Sequence, residues 1–103
     1  MSKKIVYIAG PITGVAQYWE PFEKAEDDLI AAGFIPLTPT YLPSNISNEK
    51  AMQICMAMIN VADAVLFLPG SNKSEGATIE LAYCDYIGKP YEGSIKALKE
   101  VLA

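Results

Sequence analysis

The chain has 103 residues, 51% of them apolar, and a formal net charge of −4. That size and apolar fraction suit one domain, residues 1–103, with one core and no staples. The acidic balance, with no strongly basic segment, argues against DNA or RNA as a partner.

There is no Arg and no His anywhere in the chain. Bidentate phosphate clamps, the commonest general base and the commonest metal ligand are therefore missing. Chemistry here must rest on carboxylates, hydroxyls, Lys, Cys or backbone amides, and neither a metal nor a cofactor is expected. Cys55 and Cys84 fit no metal-binding spacing and read as reduced, buried thiols.

The opening residues, Met1 to Lys4, run straight into a short apolar strand, without the apolar region of a signal peptide. No apolar run reaches membrane-spanning length. The expected location is the cytoplasm, with no membrane partner.

In chain order, Ile5 to Ala9 is a continuous β-rich apolar run, as expected of a central parallel strand covered on both faces. Gly10 to Gly14 form a loop. Residues 17–32 place Trp19, Phe22, Ala25, Leu29 and Ile30 near helical spacing, with Pro21 in the first turn and Gly33 as a stop. Phe34 to Leu37 is a second strand, and its Pro36 points to an edge position or an early strand end. A loop over 38–47 leads to a strongly apolar helix running to about Val61, capped by Ser47 or Asn48. The Met52, Met56 and Met58 group on this helix suits a core or a subunit interface.

Ala64 to Leu68 is the third strand, and Pro69 to Gly76 the loop after it. A helix over 77–87 stops at Gly88. A short fourth strand begins near Lys89, and residues 94–102 have the pattern of a terminal helix. The alternation predicts a doubly wound α/β domain of about four parallel strands, helices on both faces, joined by right-handed crossovers.

In such sheets ligands bind at the carboxyl ends of the strands, where strand order reverses. The loops after the first and third strands are the places to look. Neither carries a dinucleotide or a triphosphate fingerprint, and small residues there also suit ordinary turns. Glu80 is more informative. It lies one turn into the third helix, four residues after Gly76, among Ala77, Ile79, Leu81 and Ala82. A carboxylate there suits a favourable first-turn charge. It equally suits a half-buried nucleophile or general base leaning back toward the strand ends.

Two stretches carry a family resemblance. Residues 7–14, Tyr-Ile-Ala-Gly-Pro-Ile-Thr-Gly, and residues 62–70 followed by Ser74-Glu75-Gly76-Ala77-Thr78-Ile79-Glu80, resemble the signatures of nucleoside 2-deoxyribosyltransferase-like proteins. The match is closest to their short DUF4406-type branch of phages and bacteria. The resemblance implies a flavodoxin- or Rossmann-like fold and N-glycosidic cleavage or 2-deoxyribosyl transfer on a deoxynucleoside or its monophosphate. It implies Glu80 as the nucleophile on the anomeric carbon and Tyr7 orienting the Glu or the sugar. Ser74 and Gly76 would contact sugar or phosphate, and Gly10, Pro11, Thr13, Gly14 and Gly70 would line the loops around them.

The chain departs from that pattern where the relatives carry an acid/base Asp in the second helix, for Cys55 occupies the place. It also lacks their first-loop Arg. Asp63 is a site candidate, or a structural residue bonded to nearby amides at the start of the third strand. The relatives complete the site with a partner-subunit residue near the C-terminus, and Ser94 is the candidate here. A homodimer or higher homo-oligomer is expected, with a small-molecule nucleoside or nucleotide as ligand. The alternative function is a non-catalytic nucleoside- or nucleotide-binding or sensing module that lost the acid/base carboxylate.

Overall fold

The computed structural model describes residues 2–103. Four strands, β1 (Ile5–Ala9), β2 (Ile35–Leu37), β3 (Ala64–Phe67) and β4 (Tyr91–Glu92), alternate with α1 (Trp19–Ala31), α2 (Asn48–Val61), α3 (Glu75–Ile87) and α4 (Ile95–Val101). The strands form one sheet in the order β2-β1-β3-β4, and every pairing is parallel. Tyr7 of β1 sits in register between Leu37 of β2 and Val65 of β3. The sheet is doubly wound, and strand order reverses between β1 and β3.

The apolar runs of β1 and β3 are explained by burial on both faces. Val6, Ile8, Ala64 and Leu66 pack with Phe22, Ala25 and Leu29 of α1 and Leu98 of α4. Tyr7, Ala9, Val65 and Phe67 pack on the other face with Cys55 and Ile59 of α2 and Ala77 and Cys84 of α3. Period-two alternation therefore decides that Tyr7 points toward α2 and α3. The edge position expected of β2 from Pro36 is found, since a residue without an N–H is tolerated where one side of the ladder is open.

The helix ends follow their local chemistry. Phe22, Ala25 and Leu29 are the buried stripe of α1. Gly33, at φ +92°, takes the left-handed turn that ends the helix, and Phe34 N–H donates back to Leu29 O at 2.9 Å. α2 is capped by Ser47, whose side chain accepts from Lys50 N–H. α3 starts at Glu75, two residues before the expected start. The cause is Ser74, whose Oγ accepts from Ala77 N–H at 3.3 Å and sets the first turn there. Among the described residues no helix is long and apolar enough to cross a membrane.

Candidate functional site

The loops after β1 and β3 meet at the carboxyl end of the sheet. Gly70 adopts φ +87°, and a Cβ there would stand 3.6 Å from Cγ of Pro11. The two turns are thus in near contact, and the left-handed conformation suits glycine. Gly10 lies deeper. A Cβ at this position would come within 3.1 Å of Leu68 and 3.2 Å of Phe22.

Beside these loops lies a cleft of about 1020 Å³. Tyr7, Gly10 and Thr13 border it from β1 and the following loop, and Ser74, Gly76 and Glu80 border it from α3 and its cap. Of the residues singled out from sequence, these six are brought together. Pro11, Gly14 and Gly70 belong to the same two loops but do not line the cleft.

Glu80 is buried, 5% exposed. Tyr7 is fully buried, and its hydroxyl donates to Oε2 of Glu80 at 2.6 Å. A carboxyl taken out of water resists ionisation, so burial pushes Glu80 up to about 7, against the lowering pull of Tyr7 and Cys55. Burial and the adjacent Glu80 raise the Tyr7 phenol far above its ordinary value, so it stays protonated and acts as a donor. Cys55 also lines the cleft and is buried. Burial holds its thiol above the usual range. The site thus sets one carboxyl, poised near neutrality, between a fixed phenolic donor and a neutral thiol. That arrangement can supply a nucleophile or a general base.

Two candidates lie elsewhere. Asp63 stands at the amino end of β3, opposite the cleft. Its Oδ2 accepts from Ile5 N–H at 2.7 Å, and its own N–H donates to Ile5 O at 2.7 Å. It staples the starts of two central strands together. Ser94 caps α4, its Oγ accepting from Ala97 N–H at 3.2 Å. It borders a separate hollow with Pro21, Lys24 and Asp28.

The opposite wall of the cleft comes from the loop over 38–47 and the first turns of α2, neither expected from sequence to border a site. Pro39, Leu42, Pro43, Ser44 and Ile46, then Asn48, Glu49 and Met52 of α2, all face it. The available signal was position: residues 38–47 follow a parallel strand and so begin at the carboxyl end of the sheet. Met52, read as core or interface, is a cleft residue as well. Glu75, read as part of an exposed loop, sits in the first turn of α3 and borders the cleft with Lys73. Among the described residues no three His, Cys, Asp or Glu side chains converge so as to hold a metal ion.

No curated protein matches the chain. Among solved structures, a 2-deoxyribosyltransferase from the psychrotolerant bacterium Bacillus psychrosaccharolyticus, described as a biocatalyst for nucleoside synthesis, superposes with a TM-score of 0.67. The two share 24% identity over 88% of this chain and 75% of the other, so the likeness establishes a common fold. The profile of a family described as a domain of unknown function, DUF4406, matches residues 4–91. The chain, matched over most of its length, belongs to the DUF4406 family.

Proposed function

We propose that this protein cleaves or transfers the N-glycosidic bond of a 2-deoxynucleoside or its 5′-monophosphate, with Glu80 as the nucleophile. The reading rests on the buried hydrogen bond between Tyr7 and Glu80 at the edge of the cleft. The fold shared with a 2-deoxyribosyltransferase supports it.

Cleavage of a glycosidic bond builds oxocarbenium character at the anomeric carbon, which a carboxylate on one face can stabilise or trap. Tyr7 holds Oε2, and Oε1 is the proposed attacking oxygen. As the carbon–oxygen bond to Glu80 forms, the carbon–nitrogen bond breaks, and the base departs with the electron pair and takes up a proton from water. Water or a second base then displaces Glu80 from the sugar and returns a proton to solvent. Gly10, Thr13, Ser74 and Gly76 are the proposed contacts to the sugar and its substituents.

The test is incubation with a panel of deoxynucleosides and their monophosphates, followed by chromatography for free base. Release of base that disappears in Glu80→Gln is the expected result. Release that persists in the variant removes Glu80 from the mechanism. Tight binding with no turnover marks instead a nucleoside-binding or sensing module, for which Cys55 in place of an acidic residue would account.

A further inference from the structure

We infer that the ring of Tyr18 is the platform on which the base stacks, and that it makes the cleft prefer purine to pyrimidine deoxynucleosides. The inference rests on the reading that the cleft is a deoxynucleoside site, and it names a base preference that reading leaves open.

A base presents a flat π-face, and proteins hold such faces with aromatic rings or with the planes of Arg and His. The chain has no Arg and no His. Among the described residues the aromatic side chains that line the cleft are Tyr7 and Tyr18. Tyr7 is 0% exposed and its hydroxyl is committed to Glu80, so its ring is closed to a ligand. Tyr18 is half-buried, packed on one part and open on another. It is therefore the one π-face the cleft offers.

The local fold holds that ring at the cleft. Val15 N–H donates to Ile12 O at 3.2 Å and closes a turn in the loop after β1. Gln17 then takes φ +53°, the left-handed region that a side chain other than glycine enters at a cost. This reversal delivers Tyr18 to the N-cap of α1, at the border of the cleft. That position ordinarily goes to a short polar residue whose oxygen caps the helix. Tyr18 makes no side-chain capping bond, so the helix gains nothing from its presence there. A local rule broken without a structural return points to a ligand. Trp19 braces the ring, with centres 5.6 Å apart and planes at 84°. The contact is edge-to-face, not the parallel stack that a base would make.

Size does not select between the bases. The cleft, about 1020 Å³, is large enough for a nucleoside with one ring or two. Overlap with Tyr18 does select, because a fused two-ring base covers more of the phenol and leaves less apolar surface in water. One aromatic ring raises the affinity for a stacked base about tenfold or more. Of this, about three- to tenfold should separate purines from pyrimidines.

The experiment is calorimetric titration of the wild type, Tyr18→Phe and Tyr18→Leu with the four 2-deoxynucleosides and their four 5′-monophosphates. Circular dichroism establishes that both variants fold. Trp19 is the single tryptophan of the chain, so its fluorescence reports binding beside Tyr18 in the unsubstituted protein. The expected result is that the purine ligands bind the wild type more tightly than the pyrimidine ligands and change the Trp19 emission. Tyr18→Phe, which keeps the ring, should keep the preference. Tyr18→Leu, which keeps bulk and loses the π-face, should bind purines about tenfold more weakly and treat the two classes alike. Equal binding of purines and pyrimidines by the wild type overturns the inference and leaves the proposed activity standing. So does purine binding that leaves Trp19 unmoved, a preference that survives in folded Tyr18→Leu, or one that vanishes in folded Tyr18→Phe. Silence in all eight wild-type titrations removes the deoxynucleoside reading itself, and this inference with it.

Discussion

The hydroxyl of Tyr7 and the carboxylate of Glu80 lie 73 positions apart in sequence and 2.6 Å apart in space. Two periodicities bring them together. The pleat of β1 aims Tyr7 at the α2/α3 face, and the helix turn set by Ser74 places Glu80 above it. Both groups are buried, so the hydrogen bond is made in a medium that strengthens it and penalises its absence.

Tyr7→Phe keeps the ring and removes the donor. Because the Tyr7 hydrogen bond lowers the Glu80 pKa, its loss shifts Glu80 above its present value of about 7. The acidic limb of the pH–activity profile should move to higher pH. Near neutrality kcat/KM should fall roughly ten- to a hundredfold, the equivalent of a charge-assisted bond worth about 1.5–3 kcal/mol. A profile unchanged in position would show that Tyr7 does not hold the reactive carboxyl.

Gly10 and Gly76 should respond to the same substitution in opposite ways. Gly10→Ala puts a methyl within 3.1 Å of Leu68 and 3.2 Å of Phe22. Overpacking at this point should lower stability by about 1–3 kcal/mol. Gly76→Ala meets only Met52 Cε, at an ordinary 3.6 Å. In a helix Ala is preferred to Gly by up to roughly 1 kcal/mol, so stability should hold or rise. Loss of ligand binding in a stable Gly76→Ala protein would then report a ligand pressed against this backbone. Thermal denaturation and titration of both variants separate the two effects.

The central strands were legible because burial on both faces writes an unbroken apolar run, as in Val6 to Ala9. Glu80 was legible because a carboxyl among apolar neighbours beside a small-residue loop has few ordinary explanations. The wall from Pro39 to Ile46 was not legible. Its residues are individually unremarkable, and only the turn of the chain after β2 folds them over the cleft. Glu75 was misplaced for a local reason: the Ser74 cap, two residues earlier than the apolar pattern suggested, converts loop into helix. Asp63 carried two readings that only the topology separates, since sequence does not say which end of a strand faces a ligand.

Asp63→Ala tests that separation. Removal of the carboxylate leaves Ile5 N–H without its partner at the start of β1. Stability should fall by about 1–2 kcal/mol. The kcat of the folded fraction should stay within about twofold, since the residue is at the opposite end of the sheet. Denaturant melts and activity per folded molecule give the two readouts, and a large loss of kcat in a well-folded variant would return Asp63 to the site.

Glu80→Gln carries the fullest test, because the same burial that poises the carboxyl also links stability to pH. In the folded chain Glu80 titrates at about 7, above its ordinary 4.5. Between those values the folded state holds a proton that the unfolded state has lost. Stability from this group is therefore fully present below the unfolded value and is lost as pH rises through the folded one. The loss amounts to about 3 kcal/mol across that window. Glu80→Gln cannot ionise, and its carbonyl still accepts from Tyr7, so its stability should be flatter over this range and exceed that of the wild type at pH 8. Activity should behave in the opposite sense. The nucleophile must be ionised, so wild-type turnover should climb with a midpoint near pH 7, over the range in which the fold weakens. The variant should lose several orders of magnitude of turnover, since an amide cannot form the covalent intermediate. Parallel urea melts and rate measurements from pH 4 to pH 8 would show both trends. If wild type and Glu80→Gln share the same stability profile, the carboxyl is not buried as described. If the variant gains stability at high pH and keeps its turnover, Glu80 is buried but is not the nucleophile.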